Sequence, residues 1–96
     1  MDGQFKAREL RESKQFLEQL KQIHPNIRRL DEQLFGITWV LSRRPDIFPQ
    51  IGNTLLHRAL IDPWPGAPRL RIYFTFDDQH VDLLWVEQVE ELDEDS

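Results

Sequence analysis

The chain has no cysteine, one methionine, four glycines and one tyrosine in 96 residues. Without cysteine there are no disulfides and no thiolate metal centres, and such a chain is at home in a reducing compartment. No apolar run approaches the roughly 20 residues that a membrane-spanning helix requires. The opening Met1-Asp2-Gly3-Gln4-Phe5-Lys6 has no apolar segment after its charges, unlike a secretory leader. These absences lead to the expectation of a cytoplasmic protein without membrane association. Base is also missing from the carboxyl end, where Glu87, Glu90, Glu91, Asp93, Glu94 and Asp95 stand unopposed.

What is present is enough apolar matter for one modest core: 40% of residues are hydrophobic and 10% aromatic. At this length one domain is expected, with its core over about residues 5–89 and an acidic, solvated tail at 90–96. The net charge of −5 is unevenly spread. Residues 1–44 hold nine basic against six acidic residues, a net of +3, and residues 45–96 hold three against eleven, a net of −8. The body of the chain is therefore close to neutral and the tail is not.

Residues 4–10 fit either a short edge strand or the start of a helix, with strand preferred from their alternation. From Ser13, a candidate N-cap, Phe16, Leu17, Leu20 and Ile23 share one helical face. His24-Pro25-Asn26 interrupts the helix, because proline restricts the residue before it and donates no amide bond. A second helix to about Ser42 follows, with Ile27, Leu30, Leu34, Ile37 and Leu41 as a stripe that Phe35, Trp39 and Val40 widen. Gly36 within that stripe suggests a close approach between helices. Arg43-Arg44-Pro45 closes the second helix with cations at its negative end.

A loop over 46–54 leads to a short strand within 55–61. Residues 62–68, with three prolines, read as a rigid connection. The strongest strand signal comes last. Leu70, Ile72, Phe74 and Phe76 alternate with Arg69, Arg71, Tyr73 and Thr75, and a polar Asp77-Asp78-Gln79-His80 turn joins them to a second apolar run, Val81 to Gln88. The expected fold is α+β in the order β-α-α-β-β-β, a helical hairpin packed on one face of a small antiparallel sheet. Trp39, Trp64 and Trp85 are expected as core or loop anchors.

The helical hairpin, its Ser42-Arg43-Arg44-Pro45-Asp46-Ile47-Phe48-Pro49-Gln50-Ile51 exit, the Leu70-Arg71-Ile72-Tyr73-Phe74-Thr75-Phe76 strand, the acidic turn and Leu83-Leu84-Trp85-Val86 together resemble the RelE/ParE toxin superfamily of bacterial toxin–antitoxin modules. That resemblance implies a small cytoplasmic protein held by an antitoxin, with either ribosome-dependent messenger RNA cleavage or action on DNA gyrase. Its RNA-cleaving branch is a metal-independent endoribonuclease without cofactors.

On their own chemistry, Arg69, Arg71 and Tyr73 are the candidates for catalysis: guanidinium matches phosphate geometry, and the phenol can donate a proton or stack on a base. Arg58, Arg43, Arg44, His57 and His80 are the candidates for binding RNA or phosphate. Each has a plainer explanation as well, from solubilising charge to helix capping. This expectation requires Arg69, Arg71 and Tyr73 to stand side by side in water. The resemblance also has a departure: RelE-like nucleases place basic or aromatic catalytic residues at the end of the last strand and just beyond it, where this chain has Glu87-Gln88-Val89-Glu90-Glu91-Leu92. That acidity favours the alternatives of a member acting purely by protein binding, or of a non-toxic interaction domain.

Overall fold

Strand β1 (Glu9–Glu12) leads directly into helix α1 (Lys14–Ile23), and helix α2 (Ile27–Arg43) follows. A short 3-10 turn (Pro45–Ile47) then precedes β2 (His57–Ile61), β3 (Arg69–Phe76) and β4 (His80–Val89). The computed structural model describes residues 7–23, 27–62 and 69–89, with the side chains of 27–31 and 33 outside that description. The 63–68 connection, Trp64, His24 and the acidic tail at 90–96 lie outside the described residues.

The four strands form one sheet in the order β1-β4-β3-β2. The expectation of an antiparallel sheet is corrected in part. β2–β3 and β3–β4 are antiparallel, whereas β1 runs parallel to β4, pairing Glu9 with His80 and Glu12 with Leu83. The reason is the connection. β1 leaves the sheet into α1, so the chain returns to β4 only after both helices and two further strands, which frees the pair from hairpin geometry. Among the described residues the molecule is α+β, with two helices on a four-stranded mixed sheet.

Alternation on β3 sets the core. Leu70, Ile72 and Phe74 are wholly buried and meet Val81, Leu83 and Val86 of β4 and Ala59 and Ile61 of β2. Phe16 and Leu20 of α1 and Leu34 and Leu41 of α2 complete this cluster, so both helices cover the same face of the sheet. Ser13 caps α1 as its position implies: its Oγ accepts from the Phe16 amide at 3.0 Å. The same hydroxyl donates to the Leu84 carbonyl at 2.7 Å, and Gln19 Oε1 accepts from the Val86 amide at 2.9 Å. These two side chains satisfy the flank of β4 beyond the point where β1 ends. The β3–β4 register shifts between Tyr73 and Phe74, so that Trp85 faces Tyr73 and Leu83 faces Phe74. Leu84 is the extra residue of this bulge, and it keeps Val86 in the core and Trp85 on the opposite face.

Some expectations for the helices are overturned. Leu17 (41% exposed), Phe35 (73%) and Trp39 (55%) face solvent, although Leu17 and Phe35 each lie beside a buried residue, Phe16 and Leu34. The core accepts a narrower arc of each helix than the apolar residues occupy. Gly36 is exposed and, among the described residues, has nothing within 4 Å of where its Cβ would be, so neither described helix makes the expected close approach there. The amino-terminal strand lies at Glu9–Glu12 and meets the expected 4–10 at Glu9 and Leu10, while residues 4–6 lie outside the described residues.

Candidate functional site

The sheet face turned away from the helices carries the chemistry. Cross-strand register aligns Arg58 of β2 with Tyr73 of β3 and Trp85 of β4, and in the adjoining row Leu60 with Arg71 and Glu87. Same-face neighbours on paired strands lie about 5 Å apart, within reach of long side chains. Tyr73 and Trp85 stack with ring centroids 4.5 Å apart and planes 27° from parallel.

Arg71, Tyr73 and Glu87 form one hydrogen-bonded cluster. Arg71 Nη1 donates to Glu87 Oε2 at 2.9 Å, and Tyr73 Oη donates to the same oxygen at 2.9 Å. Arg71 Nη1 also lies 3.4 Å from the Tyr73 oxygen. The Arg71 side chain is 22% exposed and that of Glu87 43%. The Tyr73 hydroxyl and the Glu87 carboxylate hold the Arg71 guanidinium above its ordinary pKa, with partial burial acting against them. The cation is permanent.

The expectation that Arg69, Arg71 and Tyr73 stand free in water is therefore overturned. Arg71 and Tyr73 are engaged by an internal carboxylate that the sequence places opposite them on β4. Arg69 Nη1 lies 3.4 Å from Asp62 Oδ1, a looser pair at the same end of the sheet. All three residues are on one face, as their alternation implies, and two of them share a partner.

The proposed RNA- or phosphate-binding residues do not form one surface. Arg58 is exposed on the outer face beside Tyr73. His57 belongs to the other face, where its ring lies 5.6 Å from that of Phe74 and 5.0 Å from that of Phe76. Its Nδ1 is 2.9 Å from the Phe48 carbonyl. Successive residues of a strand point to opposite faces, so His57 and Arg58 cannot serve one phosphate. Arg43 lies over the Trp39 ring at 4.2 Å and donates to Ser42 Oγ at 3.1 Å. Arg44 pairs with Asp46 at 3.2 Å, which lowers the carboxyl pKa and raises that of the guanidinium. His80, at the start of β4, has its ring nitrogens 3.7 Å from Glu9 and 3.7 Å from Asp77.

Sequence reasoning missed the role of Glu87 as a partner for Arg71 and Tyr73. It also missed Arg11, whose guanidinium meets Asp82 through two bonds of 2.6 and 3.0 Å on the β1–β4 pair. The turn alone does not reveal Glu87: the pairing nearest it, carried on unbroken, would set Arg71 opposite Val86, and the extra residue Leu84 brings Glu87 into that place. Among the described residues no group of three or more His, Asp or Glu side chains could hold a metal ion, and no helix is long and apolar enough to cross a membrane. A scan against protein-family models finds no match, and a search of curated proteins finds no similar sequence.

Proposed function

We propose that this chain is a toxin-like protein of the RelE/ParE type that acts through protein contacts, with an antitoxin as one partner, rather than by cleaving RNA. The observation that carries this reading is the bond from both Arg71 and Tyr73 to Glu87. Metal-independent RNA cleavage needs a cation free to meet the phosphate and a group free to move a proton. Here the candidate cation is neutralised and the candidate phenol already donates its proton to a carboxylate. An anion fixed at the centre of the site also repels a nucleic-acid backbone.

Protein contacts are supported by apolar residues left in solvent: Phe35 and Trp39 on α2, and Leu60 on the outer face of β2 at 42% exposure. An antitoxin segment, helical or extended, would find in them anchors of the kind that dominate protein interfaces. Gyrase is a further partner of this kind.

A ribosome-dependent endoribonuclease is the second reading, favoured by the gathering of Arg58, Arg71, Tyr73 and Trp85 on one face. It requires Glu87 to leave its partners. Inducible expression in bacteria, with primer extension of abundant transcripts, separates the two. Growth arrest with an unchanged transcript pattern, relieved by the product of a neighbouring gene, is the expected result. Codon-aligned cleavage ends would overturn the protein-contact reading.

A further inference from the structure

We propose that the outward face of α2 is a contact between two copies of this chain, laid antiparallel so that Trp39 of each copy seats over Gly36 of the other. This goes beyond the protein-contact reading, because it gives the exposed apolar residues of α2 an occupant without calling on an antitoxin or gyrase. It stands even where that reading falls.

Two features of α2 have no use among the described residues of one subunit. A glycine inside a helix is destabilising relative to alanine, yet nothing lies within 4 Å of the Gly36 Cβ position, so no contact within the subunit asks for a glycine there. Three residues on, the Trp39 indole is 55% exposed. Both features lie on one line. Leu34, Ile37 and Leu41 turn to the core, and at 3.6 residues per turn Glu32, Gly36, Trp39 and Arg43 fall on the opposite side of the helix. Their spacings of four, three and four residues are those of a coiled-coil seam.

In an antiparallel pair this seam sets Gly36 opposite Trp39 and Glu32 opposite Arg43, and two-fold symmetry makes each contact twice. An indole needs a hollow, and a glycine supplies one because the other helix can approach its bare backbone. Arg43 is already placed for its part: its guanidinium lies over the Trp39 ring at 4.2 Å, at the end of the seam where Glu32 of the second copy arrives. The charges also select the direction. A parallel pair would set Glu32 against Glu32 and Arg43 against Arg43, whereas the antiparallel pair brings opposite charges together at both ends. One helix pair belongs to the weak, transient class of interfaces below about 1,200 Å², so the dimer forms with concentration and its copies exchange. An antitoxin anchored on Phe35 and Trp39 would displace the second copy rather than bind beside it.

Sedimentation equilibrium of the purified full chain, at concentrations up to about 1 mM, tests this. The parent is expected to pass from monomer to dimer as concentration rises. Gly36→Leu fills the hollow. Because nothing lies near that Cβ position and leucine is the better helix former, the variant should melt no lower than the parent while its dimerisation weakens roughly tenfold or more. Trp39→Ala should weaken it as much. Glu32→Arg and Arg43→Glu should each weaken the dimer, and the double variant should recover it, since the exchange restores opposite charges across the seam; circular dichroism shows that each variant is folded. A parent that stays monomeric throughout overturns the proposal and leaves this face of α2 to an unlike partner. It is also overturned by a dimer that Gly36→Leu leaves intact, or by a double charge variant that dimerises no better than the weaker single one. None of these outcomes alters the expression phenotype, so the protein-contact reading is judged separately.

Discussion

The two faces of the sheet are built from the same strands and obey opposite rules. On the inner face Leu70, Ile72 and Phe74 are wholly buried against the helices, and partner identity matters little beyond size and shape. On the outer face Arg71, Tyr73 and Glu87 are half-buried and each depends on a particular neighbour. The inner face supplies stability, whereas the outer face supplies organisation: hydrogen bonds that contribute little net energy decide where charge sits.

The sharpest way to break this contrast is to cut into each side. Phe74→Ala removes a fully buried ring that also meets Phe48 edge-on at 5.9 Å, and should cost about 3–5 kcal/mol in a denaturant titration. A loss below about 1.5 kcal/mol would show that the inner face is not the source of stability. Between the faces, Ser13→Ala removes both the α1 cap and the donor to the Leu84 carbonyl at the bulge. It should cost about 1–2 kcal/mol in the same experiment, and Ser13→Thr should recover most of it. On the outer face, a double-mutant cycle over Arg71→Ala and Glu87→Gln should give a coupling below about 1 kcal/mol, because water screens a pair at this exposure. A coupling comparable to the Phe74→Ala loss would erase the distinction between the faces.

That distinction also explains what was legible in the sequence. Strand alternation in 69–76 identified both faces, since a period of two survives any choice of partner. The Ser13 cap and the Asp77–His80 turn were legible because their chemistry is local. The parallel β1–β4 pair was not, because nothing in residues 9–12 records which strand they will meet after seventy intervening positions. Phe35 and Trp39 misled for a related reason: an apolar residue on a helix reports hydrophobicity but not the width of the core that awaits it. At the candidate site the side of Arg71 and Tyr73 was readable, while their state was not. Whether a cation is free depends on a carboxylate sixteen residues away, and so on register through the bulge at Tyr73 and Phe74.

The smallest effect expected concerns the turn that sets this register. Asp77 Oδ1 accepts from the amides of Gln79 and His80 at 2.8 and 2.7 Å, and these bonds, with the nearby His80 and Arg11 charges, hold its pKa below the ordinary carboxyl value. A group whose folded-state pKa is depressed stabilises the fold above its unfolded pKa and loses that contribution as pH falls through the folded value. Stability should therefore decline on the acid side, from about pH 4 downward. In Asp77→Asn the amide oxygen still accepts one or both bonds but no longer titrates, so the variant should be slightly less stable at neutral pH and have a flatter acid limb. Melting temperatures of parent and variant across that range should converge as pH drops. If the two curves instead run parallel, the turn's hold on β3 and β4 owes nothing to the ionised carboxylate, and the register that brings Glu87 to Arg71 is set by the strands alone.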